Sequence, residues 1–495
     1  MKFSEMILKA EKETGHIDFI NDFGINKLRY NSKLVESGDV FFAVKGIKSD
    51  GNMFIQEALS KGAKAVITDG TGYTLDSRIH KVEDVRKTMA VMSNIYYDYP
   101  SKKMKMIGVT GTNGKTTVTN IINFVLQYTG KRTGLIGTNG NFINKRYFKT
   151  GFTTPESVEL NELLNTMYNE KVEYVVMEVS SHALAMKRAY GLDFDTAVFT
   201  NLTNEHLDFH PTMEEYFEAK KIMFDTIKRI NEKGNHTMVI YNSSDNYGEK
   251  IVSATEGERI SFGFDRAVYS VKNLTMSFEK MSFDMQVPLN GEGVSEIHIS
   301  TKLIGRFNVL NILAAAAALK AQKIPYNTIA EAIKEFKPVD GRFNQVLLKN
   351  GAAAIIDYSH TPDSLLKALT TIREILDSNK SKGKIITVFG CGGNRDKTKR
   401  PKMGEIAAKY SYDVIVTSDN PRDEDPLDII EDIKRGITSD NYSIEEDREL
   451  AIKKAVVMSK AGDVILVAGK GHETYQEIKG VKYDLSDRKI VESYC

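Results

Sequence analysis

The run GVTGTNGKTTVTN sets glycines at Gly108, Gly111 and Gly114 before Lys115, Thr116 and Thr117. Backbone N–H groups freed by glycine can surround phosphate oxygens. A lysine can neutralise the outer phosphates, and a neighbouring hydroxyl can take magnesium. The expectation is a nucleotide phosphate site made of Gly111, Thr112, Asn113, Gly114, Lys115, Thr116 and Thr117, with Lys115 as its catalytic cation and Thr116 as a metal ligand. The standard spacing G-x-x-x-x-G-K-S/T wants glycine at 109, where this chain has Val109, so the match is to a variant loop. By itself such a loop does not separate a group-transfer enzyme from a nucleotide switch.

A strand must deliver this loop and a helix must follow it, and the sequence supplies both: MKMIGVT (104–110), then an amphipathic helix from about Thr116 to Tyr128. Strand-like YVVMEV, TAVFTNL and VIYN continue the unit, with a helix from about Met213 to Ile230 and another in NVLNILAAAAALKAQ. Between them, residues 250–305 alternate in polarity as an antiparallel excursion would. Ahead of the unit, strand-like DVFFAV (39–44), helix-like FIQEALSKGA (54–63) and strand-like KAVITD form a small α/β unit, ended by YDYPSKKMK. Beyond the Pro338 stretch, four apolar strands alternate with helices: AAAIID, KIITVFG, DVIVTS and DVILVAG. That order predicts a doubly wound parallel sheet. Each strand runs into a polar or glycine-rich cluster, DYSHTPD, CGGNRDKTKRP, DNPRDEDP and GKGHETYQ. Ligands of such sheets bind beyond the carboxyl ends of the strands, so the four clusters are expected to line one crevice. The fold class is α/β in three domains, 1–102, 103–337 and 338–495, the central one carrying the phosphate loop and the last the doubly wound sheet.

Composition narrows the function. A formal charge of +1 with no basic run excludes a nucleic-acid backbone as the partner. The opening residues MKFSEMILKAEKETG lack the apolar core of a signal peptide, and no apolar run is long enough to span a bilayer, so a cytoplasmic protein without membrane insertion is expected. Two cysteines, Cys391 and Cys495, make neither a disulfide framework nor a thiolate cage.

The variant loop GTNGKTT, then TTPES (153–157), MEVSSHAL (177–184), TNLTNEHLDFH (200–210), YFEAKKIMF, GRFNVLNILAA, DGRFN, DYSHTPDSL, DNPR and GKGHETYQ together resemble the Mur ligases, in family order and over nearly the whole chain. The pattern is similar to the members that add the third residue of the cell-wall peptide. The resemblance implies ATP and Mg2+ as cofactors, a monomer, and domains for the UDP-linked precursor, for ATP and for the amino acid. It implies that ATP phosphorylates a carboxylate of UDP-N-acetylmuramoyl-L-alanyl-D-glutamate and that an amine then displaces phosphate, a route that needs cations around many negative oxygens.

Residue by residue, the resemblance carries Glu178 and His206 over as metal ligands beside Thr116, with His206 also catalytic. Glutamate and threonine oxygens suit magnesium, whereas histidine is a less usual ligand for it. Lys220 matches a catalytic lysine carried as N6-carboxylysine, although by itself Lys220 beside Lys221 reads as a solvated helix face. Asn308 and Asn311, three apart on one helix face, fall to the adenine region, Arg342 to phosphate and Asp357 to ribose. Ser32, Thr153, Thr154, Ser180 and Arg188 match positions that hold the UDP precursor, and Met186 stands where some relatives have a polar residue.

Asp419, Asn420, Pro421 and Arg422 complete the DNPR motif that marks family members adding meso-2,6-diaminopimelate, and Arg395, Gly469 and Glu473 match further contacts to that amino acid. The physical reason is a second carboxylate, absent from lysine, which a guanidinium grips bidentately. Offered lysine, Arg422 would be left a buried charge without its partner, at a cost of roughly 3–5 kcal/mol. Lysine addition, the later dipeptide-adding ligase and a folylpolyglutamate synthetase are the rival ligase readings, and a nucleotide switch or an idle scaffold the rivals of another class.

Overall fold

The computed structural model describes residues 1–19, 21–46, 49–71, 76–148, 151–204, 209–289, 293–338 and 340–495. At the amino end, a parallel sheet runs in the order Leu28–Arg29, Val40–Phe42, Ala65–Thr68, Ile79–Lys81. The expected strands and helix are present, the helix shortened to Ile55–Ser60 behind a tight turn at Gly51–Phe54. The residues read above against a signal peptide form the helix Phe3–Thr14. Its buried Phe3, Met6, Ile7 and Ala10 recur at helical spacing and pack on the helix Val85–Tyr96. Neither of these two helices was expected from sequence.

The central sheet has the order Glu258–Phe262, Met238–Asn242, Thr196–Phe199, Lys105–Thr110, Tyr174–Glu178, Thr133–Gly137, Gly140–Ile143, Arg146–Phe148. It is parallel except for the last two strands, which turn back as hairpins. Alternate side chains of Lys105–Thr110 face opposite layers. Ile107 and Val109 enter a core with the helices Lys115–Tyr128 and Arg306–Ala321, while Met106 enters another with Leu160, Leu164 and Phe224. All of Ala314–Ala318 is fully buried, and alanine lets this helix lie close against its neighbours. Within the expected antiparallel excursion, Ser270–Met276, Met281–Pro288 and Val294–Thr301 form a separate antiparallel sheet whose Met281, Phe283, Met285 and Val287 join the same core. One part of that stretch differs: Glu258–Phe262 pairs in parallel with Met238–Asn242 at the edge of the main sheet. A short, half-exposed strand carries no sign of its partner's direction.

The carboxyl-terminal sheet has six strands, ordered Asn344–Leu347, Ala353–Asp357, Val464–Ala468, Ile385–Phe389, Asp413–Val416, Tyr442–Ile444. The four expected apolar strands are its parallel centre. The added edges, one of them antiparallel, lack the continuous apolar run of a strand buried on both faces. Leu466 and Val464 face the helices Pro362–Ser378, Lys399–Tyr410 and Pro426–Lys434. Ile465 and Val467 face Arg448–Met458 and the last helix, Asp487–Glu492. Helices therefore cover both faces, as in a doubly wound sheet. A hairpin, Tyr475–Ile478 with Val481–Asp484, lies just past the strand that ends at Ala468.

Candidate active site

The strand before the phosphate loop continues to Thr110, which explains the variant spacing. Val109 is a buried core residue paired with Val198 and Glu178, so glycine is not needed there. Gly108 is not part of the phosphate cradle either. A Cβ on it would lie 2.5 Å from Met223 Cε and 2.6 Å from Phe194 Cε1, so this glycine serves packing within the strand. The turn proper spans Gly111 to Gly114. Gly111 has φ +146° with Thr200 Oγ1 1.9 Å from where its Cβ would sit, and Gly114, at φ +88°, leads into the helix Lys115–Tyr128.

Asn201 and Thr200, past the end of the neighbouring strand, hold the turn. Asn113 N donates to Asn201 Oδ1 (2.9 Å), Thr112 N to the Asn201 carbonyl (2.8 Å), and Thr200 Oγ1 to the Asn113 carbonyl (2.6 Å). Lys115 Nζ folds back onto the Gly111 and Thr112 carbonyls, both at 2.8 Å. Thr112 through Thr117 line a cavity of about 800 Å³, while Gly111 sits behind it. A fixed turn at a helix N-terminus is suited to anionic oxygens.

Glu178, at the end of the adjacent strand, opens onto the same cavity, although only 1% of it is exposed. Its Oε1 accepts from Thr138 N (3.0 Å) and its Oε2 from Thr138 Oγ1 (3.1 Å). Thr116 and Glu178 thus offer two hard oxygen donors beside the loop, a set that fits magnesium. His206 lies outside the described residues. Lys220 is buried on the helix Met213–Asp225, contrary to a solvated face. Its Nζ donates to the Gly111 carbonyl at 3.0 Å and lies 4.7 Å from the Tyr216 ring centroid, which sets it behind the loop and out of the cavity lining.

Thr153, Ser180 and Arg188 line the cavity, and Thr154 supports them from behind. Thr154 Oγ1 donates to the Glu178 carbonyl (2.9 Å) and accepts from Ser180 N (3.2 Å). Arg188 pairs with Glu156 at 2.9 Å, donates to the Thr154 carbonyl at 3.2 Å and stacks on Phe152. Met186 Sδ accepts from its Nη2 at 3.4 Å, so the residue where relatives can be polar touches the arginine. Ser32 is apart from this cavity; it opens the short turn Ser32–Leu34, and its Oγ donates to Glu57 of the helix Ile55–Ser60 at 2.9 Å.

Asn308 and Asn311 share a helix face but do not line the cavity. Asn308 Nδ2 donates to the Ile304 carbonyl (2.8 Å), and Asn311 donates to Asn308 Oδ1 (3.0 Å) while packing where Gly114 leaves space for it. Arg342 does line the cavity, over the Tyr358 ring, and nearby Asp340 pairs with Arg488. Asp357 sits behind the wall. Its carboxylate accepts from Phe343 N (2.7 Å) and from Ser359 Oγ, and burial pushes its pKa up. In this arrangement it holds the DGRF turn that presents Arg342.

All four expected clusters contribute to the same cavity, through Tyr358 and His360, Arg395 and Lys399, Asp419, Asn420 and Arg422, and Gly469 and Glu473. Pro421 does not line it; its carbonyl packs where Gly393 has no Cβ. Arg422 has a left-handed backbone, φ +53°. Its N–H donates to the Glu477 carbonyl (3.0 Å), and Nη1 donates to the Gly393 carbonyl (2.7 Å) with Nε 3.5 Å from Glu477 Oε2. Asp423 and Asp425, its acidic neighbours in sequence, are engaged with Asn394 and the helix start at Leu427.

Two residues of this site were not singled out by sequence. Asp363 accepts from Asn113 Nδ2 (3.0 Å), Thr203 Oγ1 (3.4 Å) and Lys367 Nζ (2.7 Å), linking the helix Pro362–Ser378 of the carboxyl-terminal sheet to the phosphate loop. Its cluster was marked, but nothing distinguished the residue. Thr138, which holds Glu178, gave no signal at all.

Three family models match in succession: Mur ligase family, catalytic domain (24–99), Mur ligase middle domain (109–319) and Mur ligase, glutamate ligase domain (341–471). The UDP-N-acetylmuramoyl-L-alanyl-D-glutamate--2,6-diaminopimelate ligase of Clostridium botulinum is 41% identical, the match covering 94% of each chain. A similarly named ligase of Clostridium acetobutylicum is 42% identical, covering 95% of this chain and 94% of the relative. A solved structure of a UDP-N-acetylmuramoyl-L-alanyl-D-glutamate--2,6-diaminopimelate ligase aligns with TM-score 0.66 at 30% identity, covering 95% of this chain and 94% of that one.

Proposed function

Because the chain belongs to the Mur ligase family, we propose that it is the ATP-dependent ligase that adds meso-2,6-diaminopimelate to UDP-N-acetylmuramoyl-L-alanyl-D-glutamate, giving the tripeptide precursor of peptidoglycan. The observation that carries this reading is one cavity running from the phosphate loop to Arg422. Phosphoryl transfer and amide formation need such a shared space, since an acyl phosphate must meet the amine before it meets water.

In this reading the loop amides and Lys115 hold the ATP phosphates while the γ-phosphoryl group passes to the glutamyl carboxylate and ADP leaves. Thr116 and Glu178, with His206 as a further ligand, would hold Mg2+, which shares positive charge among the phosphate oxygens. Lys220 as N6-carboxylysine would turn a buried cation next to Gly111 into an anion. The diaminopimelate amine then bonds to the acyl carbon, phosphate departs with the C–O bond, and the amine loses a proton. Arg395 and Arg422 take the amino acid's carboxylates, Asp419 and Glu473 its ammonium groups, and Asn420, Pro421 and Gly469 shape the pocket. Thr153, Thr154, Ser180, Arg188 and Ser32 hold the precursor, and Asn308, Asn311, Arg342 and Asp357 the nucleotide, directly or through the turns they fix.

We assign 1–102 to the precursor, 103–337 to ATP and 338–495 to the amino acid, in a monomer. No helix among the described residues is long and apolar enough to cross a membrane. ATP and a nucleotide-linked substrate place the reaction in the cytoplasm.

Phosphate release measured with ATP, Mg2+ and the UDP-dipeptide tests the reading when single amino acids are added. Turnover is expected with meso-diaminopimelate. Turnover with lysine alone would overturn the specificity, and hydrolysis indifferent to both acceptors would overturn the ligase reading.

A further inference from the structure

Lys470 follows the strand Val464–Ala468 by two residues and, unusually for lysine, is fully buried. Its Nζ donates to Asn420 Oδ1 at 2.9 Å and to Glu473 Oε2 at 3.0 Å, and it lies 5.6 Å from the Tyr475 ring centroid. An ammonium can only donate, so the atom of Asn420 that faces it must be the oxygen. Glu477 N donates to that same oxygen at 2.9 Å. Two donors on Oδ1 fix the amide, and Nδ2 is left to point at Glu473 Oε2, 2.8 Å away. Glu473 therefore takes two donors on one oxygen. Among the described residues its Oε1 has none, while Glu473 itself lines the cavity.

We propose that Lys470 is a positioning residue for the amino-acid substrate. By clamping Asn420 and Oε2 of Glu473, it presents Oε1 to the incoming ammonium group. A glutamate side chain on a turn would otherwise sample several rotamers, and ordering it before binding removes that cost from binding. The inference rests on the reading of Glu473 as a diaminopimelate contact. Lys470 is fully buried and does not line the cavity, so its effect belongs in KM for the amino acid rather than in the phosphoryl transfer that precedes it.

The test compares full-length Lys470→Met, Glu473→Gln and the double variant by phosphate release at saturating ATP and UDP-dipeptide with varied meso-diaminopimelate, alongside ATP binding. Loss of charge-assisted hydrogen bonds predicts that Lys470→Met raises the diaminopimelate KM on the order of tenfold to a hundredfold, with kcat and ATP binding near wild type. Because the lysine acts through Glu473, the double variant should be no worse than Glu473→Gln alone. An unchanged KM in Glu473→Gln would overturn the underlying reading. A raised KM there with an unchanged KM in Lys470→Met, or effects that multiply in the double variant, would overturn the role of Lys470. Lys470→Gln keeps an amide donor and carries the same comparison if the methionine chain does not fold. Its KM should lie above wild type, and a wild-type value overturns the proposal.

Discussion

Replacing Arg422 by alanine separates recognition of the amino acid from the rest of the chemistry. The Arg422 side chain is 24% exposed, and its guanidinium is anchored by Nη1 on the Gly393 carbonyl at 2.7 Å. Its contact to Glu477 through Nε is long, 3.5 Å, so much of its donor capacity remains for a carboxylate. The backbone of residue 422 is tied independently, N–H to the Glu477 carbonyl and C=O to Lys479 N at 2.7 Å, so truncating the side chain should leave the loop in place. A charge-assisted, bidentate interaction is worth about 2–3 kcal/mol at a partly screened site, which corresponds to a diaminopimelate KM raised about 30- to 150-fold. The assay is phosphate release with diaminopimelate varied, then with ATP varied. The KM for ATP should stay within about twofold, because the contacts of Arg422 are to Gly393, Glu477 and Lys479, none of which belongs to the phosphate loop. An equal rise in both, or no rise for diaminopimelate, would refute the assignment.

Glu178→Gln should raise the Mg2+ concentration needed for half-maximal phosphate release by at least about tenfold, since it removes one anionic ligand while the contact to Thr138 N survives; an unchanged Mg2+ dependence would remove Glu178 from the metal site. Glu424 carries an acid-stability prediction: the Arg400 guanidinium beside it holds its carboxyl down to about 2 from 4.5. Between those pH values the unfolded chain binds the proton and the folded chain does not, so this contribution is complete above about 4.5 and is lost as pH falls toward about 2. The melting temperature of Glu424→Gln should therefore fall less steeply than wild type over that window, and parallel curves would contradict the pairing. Arg448 and Asp487 form an ion pair with both side chains fully buried, at 2.8 Å. Asp487→Asn should cost about 3–5 kcal/mol in the unfolding of the carboxyl-terminal sheet in urea, and a loss under about 1 kcal/mol would mean the charge is not what holds the last helix.

What the sequence disclosed follows from what each element buries. The four central strands of the carboxyl-terminal sheet are apolar on both faces, so they stand out as runs, and their polar termini mark the ligand side. Edge strands such as Asn344–Leu347 and Tyr442–Ile444 are half-exposed and read as loops. The phosphate loop was legible because its glycines and lysine are adjacent in the chain. Even so, Gly108 shows that a glycine inside a motif can serve packing instead, since only the fold brings Met223 and Phe194 against it. Residues that act through others were hidden for the same reason. Lys470 differs from a surface lysine only by what surrounds it, and Thr138 and Asp363 gain meaning from Glu178 and Asn113, 40 and 250 positions away in the chain.

The distribution of charge on the cavity wall bears on the rival readings. A nucleotide switch needs cations where the phosphates lie, and Lys115 meets that need. It has no use for Arg188 beside the Thr154 carbonyl, nor for Arg395 and Arg422 at the ends of a different sheet. Arg188 already pairs with Glu156 at 2.9 Å, whereas Arg422 keeps only a long contact of 3.5 Å to a carboxylate, that of Glu477, so the two differ in what they leave open to a ligand. Cations thus stand at three places on the cavity wall, beside the phosphate loop, at Arg188 and at Arg395 with Arg422, which accords with the proposed polyphosphate, acidic precursor and carboxylate-bearing amino acid. Glu473, at the third of these places, accords with the ammonium groups proposed for the amino acid. Asp363 joins that side of the cavity to the phosphate loop through Asn113, so the amino-acid station and the nucleotide station share a hydrogen-bonded wall. The proposed ligation requires such a shared space, because the amine must meet the acyl phosphate before water does, and nucleotide hydrolysis has no such requirement.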